Sequence, residues 1–459
     1  MKTALSKLYA LPLVLALTTP MWAQQTTATL TGIVTDPSGA PIAAVKVKAT
    51  SATTNTVRET TTNDAGSYTI PFLTAGTYTV ETAKEGFQTG RVANLALQVG
   101  VTARVDIQVK VGSVSESIEV TATGAILQTE NATVGSVIDS QKIVAIPLNG
   151  RNFIQLAQLI PGAQAGTPGS ITVRRGRGSI GQADSSFGST GFSANGSRDT
   201  ANRFFLDGIE VMDYDAMTYS FSPSVDSLAE FKVETSSYGA DTGGAPGAQV
   251  NIITRSGSNQ LKGTLWEFNR NDQFTQTWDA IAGKSVTSPR LNRNQFGANL
   301  GGPVFIPKIY NGKDKTFFFF NWESGFAAQG AAAQYRLVPT SAQRSGDFST
   351  LVDSKGAAIK LKDPLGVGYT GNVLPKSILS PQSLAFLAYE PLPNTQAGVQ
   401  NYLTTPFSAT SYQHNYTTRI DHNFSIRDSV NVRYTFNDTY EAGIPVWGHD
   451  ERNNLGRTQ

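Results

Sequence analysis

The chain of 459 residues contains no cysteine. Thiol nucleophiles, cysteine-bound zinc and disulfide staples are therefore excluded. Histidine is scarce as well: His414, His422 and His449 are the only three, which argues against a multi-histidine metal centre. Neither charge sign dominates, with 37 basic against 35 acidic residues and a formal net charge of +2. No basic face or run stands out, so nucleic acid is not an expected partner. The densest basic stretch, Arg174-Arg175-Gly176-Arg177, reads as a solvated loop among glycines. Long apolar runs are missing too. The single short one, Leu8 to Leu17, follows Lys2 and Lys7 and precedes Pro20-Met21-Trp22-Ala23. A charged start, a run too short to span a bilayer and a small residue at the end predict a signal peptide over 1–23. Export follows.

What the chain does have is glycine, 43 residues of it, with much Thr, Ser and Asn and little helical periodicity. A mainly β protein with many turns is expected. Over 27–110, short alternating runs are separated by turn residues. They are Thr31 to Thr35, Val45 to Ala49, Ser67 to Ile70, Thr77 to Glu81 and Val105 to Val109. Asp36-Pro37-Ser38-Gly39, Asn63-Asp64-Ala65-Gly66 and Ala75-Gly76 supply turns. This spacing predicts a β-sandwich.

The series Gly32-Ile33-Val34-x-Asp36, Gly39-x-Pro41-Ile42, Asp64-x-Gly66-x-Tyr68 and Gly76-Thr77-Tyr78 resembles the carboxypeptidase regulatory-like family. That resemblance implies a transthyretin-type sandwich. Its motif residues are turn formers and core aromatics, so a packing or docking domain is expected, without hydrolytic chemistry.

Ser117-Ile118-Glu119-Val120-Thr121-Ala122 follows, an apolar–acidic–apolar stretch. Ile118, Glu119, Val120, Thr121 and Ala122 resemble the TonB box of TonB-dependent receptors. Such a box must be extended and unpaired, free to add as a strand to a partner's sheet edge. Residues 124–255 read as a mixed α/β unit. It contains Asn195-Gly196-Ser197-Arg198, Leu206-Asp207-Gly208, Glu230-Phe231-Lys232-Val233 and Val250-Asn251 through Thr254-Arg255-Ser256-Gly257. In this order the series resembles the plug of TonB-dependent receptors, with Ala245-Pro246-Gly247-Ala248 departing from the usual Ala-Gly-Gly. Apolar residues at helical spacing over Asn152 to Ile160 predict a helix, stopped by Pro161-Gly162.

From 261 onward the alternation is strict. Asn294, Phe296, Ala298 and Leu300 oppose Gln295, Gly297 and Asn299; Phe318, Phe320 and Trp322 oppose Phe319, Asn321 and Glu323. Tyr416, Thr418 and Ile420 oppose Asn415, Thr417, Arg419 and Asp421, and Val430, Val432, Tyr434 and Phe436 oppose Asn431, Arg433, Thr435 and Asn437. Apolar-out, polar-in patterning with alternating short and long links predicts the first strands of a transmembrane antiparallel β-barrel over 261–459. The longest link, roughly 324–412, is expected to hold little regular structure. Barrels that hold a plug have about 22 strands, and about five fit here, so the chain reads as the amino-terminal part of a longer protein.

Other motifs carry less. Gly176-Arg177-Gly178-Ser179-Ile180-Gly181 matches a dinucleotide fingerprint, but no helix follows it. Asp207, Glu210, Asp213 and Asp215 lack calcium-loop spacing and read as turn and surface residues. No catalytic or metal-binding pattern is present, so no enzyme and no cofactor are expected. The resemblance implies an outer-membrane receptor for energy-coupled uptake of an unidentified solute. Its partners would be a TonB-type inner-membrane energy-coupling protein and outer-membrane lipid. The alternative is a non-transporting surface or adhesion protein built from β-domains.

Overall fold

Alternation in sequence becomes alternation in burial from the first strand. In a computed structural model of the protein, every second residue of Ala28–Thr35 (β1) is buried: Ala28, Leu30, Gly32 and Val34. The structure describes residues 27–112, 117–121, 133–165, 191–214, 217–220, 222–238, 244, 246–274, 277–279, 284–286, 290–331, 335–353, 356–363, 366, 370–395, 400–404 and 407–440. The expected signal peptide, Ala122, Asp215, His449, the arginine stretch and the Gly176 motif lie outside these residues.

Eight further strands complete the amino-terminal domain. They are Lys46–Ser51 (β2), Val57–Thr61 (β3), Ser67–Leu73 (β4), Gly76–Ala83 (β5), Thr89–Leu97 (β6), Thr102–Arg104 (β7), Ile107–Gln108 (β8) and Ser117–Thr121 (β9). One sheet has the order β4-β1-β7, with β8 also on β1; the other has the order β3-β2-β5-β6-β9. Their inner faces share one core that includes Leu30, Val34, Val47, Tyr68, Ile70, Leu73, Val80, Leu95 and Ile107. Each such side chain contributes about 1.5–3 kcal/mol by leaving water.

The strand expected over Val105 to Val109 is reduced to Ile107–Gln108, and β7 ends before that range at Arg104. Asp106 turns its carboxylate to accept the Ile33 amide at 2.9 Å, and the Val105 carbonyl accepts the Tyr68 hydroxyl at 2.7 Å. Burial, with Asp106 nearby, pushes the Tyr68 phenol well above its ordinary range, so it stays a donor. Gly32 permits this crossing: a Cβ there would come within 1.9 Å of the Val105 carbonyl oxygen. Asp36, the motif's turn residue, accepts from the Ser38 hydroxyl and amide and from the Ala40 amide, and these bonds hold its carboxyl below the usual range.

The next unit is a five-stranded sheet in the order Val134–Asp139, Leu228–Ser236, Gln249–Thr254, Arg203–Leu206, Ile209–Glu210. Asp139 caps the helix Ser140–Ala145 by accepting the Lys142 amide at 3.0 Å. The helix expected over 152–160 is a 3-10 run, Phe153–Leu159, capped by Asn152 and followed by Gly162 in the left-handed region. Phe153, Phe192, Phe204 and Phe231 centre its core, with Phe153 edge-on to Phe231 at 5.5 Å.

Five long strands close the chain in sequential order: Lys262–Asn271, Leu291–Pro303, Thr316–Ala331, Phe407–Asn423 and Ser429–Tyr440. The two faces of the three central strands differ as the alternation requires, whereas the first and last strands have no buried residue. Phe320, Tyr416, Ile420, Val432, Tyr434 and Phe436 are exposed, whereas Gln295, Asn299, Asn321, Glu323, Asn415, Thr417 and Arg419 are buried. The described residues fall into two compact units, Met1–Trp266 with Phe296–Ser324 and His414–Asp438, and Glu267–Gln295 with Gly325–Gln413 and Thr439–Gln459.

The long link differs from expectation. Strands run to Ala331 and restart at Phe407, because the alternation extends beyond the aromatic segments that mark it. Between them a capping box joins Thr340 and Gln343, and Ser380 caps Pro381–Leu387. Arg344 donates to the carbonyls of Pro339, Leu387, Glu390 and Pro391. One guanidinium thus ties both ends of the loop.

Gly32→Val is predicted to destabilise the sandwich by about 1–3 kcal/mol, the usual range for overpacking. Hydrogen exchange of the β1 and β4 amides in the full-length protein reads this; unchanged protection would show that the crossing tolerates a side chain.

Candidate functional site

The polar face of the long strands carries charge, and a buried charge needs a partner. Two groups of residues from the mixed unit supply it.

The first centres on Arg151, which follows Gly150; both are in the left-handed region, with φ of 54° and 70°. This tight turn before the 3-10 run aims the guanidinium at the strands. Arg151 is ion-paired with Asp226 and, at 3.1 Å, with Glu323 on strand Thr316–Ala331. Ser224 donates to Glu323 at 2.9 Å, and the guanidinium lies 5.7 Å from the Trp266 ring centroid. Side-chain exposure is 10% for Arg151 and 6% for Glu323, so the pair is a buried one.

The second centres on Asp207. It sits at φ 48° before Gly208, in the tight turn between Arg203–Leu206 and Ile209–Glu210. Its carboxylate accepts the amide and hydroxyl of Thr254 at 2.9 and 2.7 Å. Two arginines of the long strands converge on it: Arg433 at 2.8 Å and Arg419 at 3.3 Å. Arg419 also pairs with Asp421 at 2.8 Å and donates to the Thr254 carbonyl at 3.1 Å. Ser256 donates to Asp421 at 2.7 Å. The surface role expected for Asp207 is therefore incorrect; this carboxylate compensates two cations. Glu210 pairs with Arg203 instead. The signal for Asp207 was its turn motif, whereas Arg151 had none.

The sandwich meets the same assembly through polar contacts. The Thr53 carbonyl accepts from the Asn259 amide, Asn55 donates to Asp314, and Arg58 donates to the Ile426 carbonyl and Ser429 hydroxyl. Asp314 and Ile426 lie in the two short links between long strands. On strand Leu228–Ser236, Glu230 accepts the Val99 amide at 2.8 Å, and Lys232 donates to the Gly100 carbonyl at 3.0 Å. Burial pushes the Glu230 carboxyl up to about 7; the Val99 amide and Lys232 oppose the rise and Asp139 adds to it.

The box candidates Ile118, Glu119, Val120 and Thr121 lie in β9, away from both ion clusters. β9 is extended, as required, but it is not unpaired: it runs parallel to β6, with Gly90 opposite Ile118 and Val92 opposite Val120. Two histidines join neighbouring strands, His414 with Ser324 at 2.8 Å and His422 with Thr316 at 2.6 Å. Among the described residues, no group of three His, Cys, Asp or Glu could hold a metal.

Strands with an apolar outer face and a polar inner face have the patterning of an outer-membrane β-barrel wall, and a folded unit is joined to the polar face by buried ion pairs. Comparison with known proteins agrees. Residues 253–458 match the family model described as an outer membrane beta barrel domain, and residues 29–110 match the carboxypeptidase regulatory-like domain. The chain is 27% identical over 258 residues to the TonB-dependent transporter Oar of Myxococcus xanthus, covering 52% of this chain and 21% of that protein. Among solved structures it is similar to the outer membrane transporter YddB from Escherichia coli (TM-score 0.40, 10% identity, 67% of this chain and 33% of that one). The siderophore receptor PirA from Acinetobacter baumannii aligns with TM-score 0.33 and 14% identity, over 71% of this chain and 42% of that one. Residues 253–458 thus carry an outer membrane beta barrel domain and residues 29–110 a carboxypeptidase regulatory-like domain, and the chain is similar to a TonB-dependent transporter. It spans about a fifth of the length of the curated relative it matches.

Glu323→Ala leaves Arg151 buried with one counter-ion fewer, a change that costs about 3–5 kcal/mol for buried pairs. The 134–254 unit should become sensitive to protease at lower urea than in the native protein, whereas Arg151→Met with Glu323→Leu should recover most of the loss. If both variants match the native midpoint, the pair does not pin the unit.

The raised Glu230 pKa has a fixed sign. Because burial disfavours the charged carboxylate, the stability linked to this group is fully present below about 4.5, its ordinary value, and is lost as pH rises through about 7. Thermal unfolding of the native protein should weaken over that window, by at most on the order of 3 kcal/mol. Glu230→Gln keeps the acceptor for the Val99 amide and should flatten the profile; an unaltered slope would assign the titration elsewhere.

Proposed function

We propose that this chain forms the periplasmic and plug-bearing part of a transporter that takes up a scarce or bulky solute across the outer membrane. Energy is supplied from outside the chain by a TonB-type inner-membrane protein engaging residues 118–122. The observation that carries this reading is the mode of plug attachment. Arg151–Glu323 and Asp207 with Arg419 and Arg433 hold the plug to the strands through polar groups. The apolar core of the plug is its own. A body held this way can shift against the wall without exposing that core, because water can replace each ion partner it leaves. The transporter relative matched over half of this chain supports the same reading.

An extended segment ahead of the plug is a suitable handle, since strand addition binds through backbone groups and tolerates varied side chains. The partner draws on the proton gradient, so the chain itself needs no nucleotide site.

Deleting residues 118–122 in the full-length receptor should abolish retention of the purified periplasmic domain of the host's TonB-type protein. Heat-modifiable migration on a gel should persist, reporting a folded barrel. Retention that survives the deletion would sink the coupling assignment. A full-length product without heat modifiability that fractionates as a soluble protein would favour the adhesion alternative.

A further inference from the structure

Resting on the coupling role proposed for 118–122, the position of β9 points to a storage device. We propose that the amino-terminal sandwich holds the coupling segment as the end strand of its sheet. The energy-coupling partner then receives the segment by strand exchange with β6.

Five consecutive register pairs, from Thr89 with Ser117 to Ala93 with Thr121, place the whole described segment along β6. β6 is itself a well-anchored strand. Its other edge pairs with β5 from Gly76–Leu97 to Thr82–Gly90, and Val92, Leu95 and Leu97 enter the sandwich core. The chain is also held to the sandwich just before β9: the Gln88 amide donates to Lys110, and the Gly112 amide donates to Gly86. β9, by contrast, has one paired edge among the described residues, and it lies last in the order β3-β2-β5-β6-β9.

Two consequences follow from elementary sheet chemistry. With β9 in place, the edge of β6 is covered, and an exposed strand edge is a template for aggregation. The cover is also the easiest strand in the sheet to remove. It is short, it is terminal, and its pairing is parallel, which is slightly less stable per residue than antiparallel pairing. A partner that offers a fresh strand edge gives the β9 amides and carbonyls new mates as the old ones are left, so no backbone group is stranded. The occupant this surface fits is therefore an exposed edge strand of the periplasmic energy-coupling domain. Addition to the outer edge of β9, with β6 still bound, is the competing geometry.

Hydrogen exchange of the full-length receptor, with and without the purified periplasmic domain of the host's TonB-type protein, separates these cases. In the free receptor, amides of 117–121 should be protected. On adding the partner, the β6 amides that face β9 should exchange at least tenfold faster while 118–121 remain protected. Unprotected 117–121 amides in the free receptor would overturn storage, and β6 amides that stay protected in the complex would overturn exchange.

A covalent trap gives a second reading, and the absence of native cysteine makes it clean. Thr89→Cys with Ser117→Cys, oxidised in the full-length receptor, should bind the same domain at least tenfold more weakly than when reduced. Equal affinity in the two states overturns exchange. If 118–122 can be deleted without loss of binding, the coupling role itself fails. The protection of 117–121 in the free receptor tests storage independently of that result.

Discussion

A strand that separates lipid from an aqueous interior must change chemistry at every residue, because its side chains alternate between the two media. Most of the architecture depends on that constraint. It makes Phe320, Tyr416 and Tyr434 face outward, and it sends Asn321, Glu323, Asn415 and Arg419 to the other face. A unit lying against that inner face meets mainly polar groups, with Phe317 and Phe319 buried beside them. It must bring charges and hydrogen-bonding groups of its own. Arg151, Ser224 and Asp207 meet that requirement, each fixed by a turn or a short 3-10 segment.

The sandwich obeys the same logic from the opposite direction. Its core is closed between its own two sheets, and among the described residues polar groups join it to the rest of the chain. Asn55 and Arg58 reach the short links, while the Val99 and Gly100 backbone meets Glu230 and Lys232. Glu230 and Lys232 lie on Leu228–Ser236, the strand next to Val134–Asp139 at the start of the plug. The sandwich thus touches the strand that pairs with Val134–Asp139, the first strand of the mixed unit.

How much of this was legible in the sequence depended on how local the physics was. Alternation is a property of neighbours, so the faces around 294–300, 318–323, 415–421 and 430–437 could be read directly. Turn chemistry is equally local, which is why Asp36 and Gly66 were found. Pairing is not local. Nothing in Val105 to Val109 announces that the Tyr68 hydroxyl, 37 residues away, will claim the Val105 carbonyl, which lies outside the short strand that forms there. Asp207 looked like a surface turn residue because its two arginines lie more than 200 positions later. The segment 118–122 could be recognised as strand-forming, but its mate β6 was not foreseen, since Thr89–Leu97 is interrupted by Gly90, Arg91 and Asn94.

The choice of ion pairs over apolar contacts has a mechanical meaning. A buried ion pair adds little net stability compared with an apolar pair of the same shape, because desolvation offsets most of the attraction. Its directionality is what differs. Arg419 contacts Asp421, Asp207 and Thr254 at once, a geometry that fits one placement of the plug and no displaced one. Apolar contacts would let the plug slide with small loss per step. Ionic pins define one position, and any displacement would exchange them for water rather than for bare apolar surface. The inner face of an alternating strand wall is a surface that provides groups for such pins.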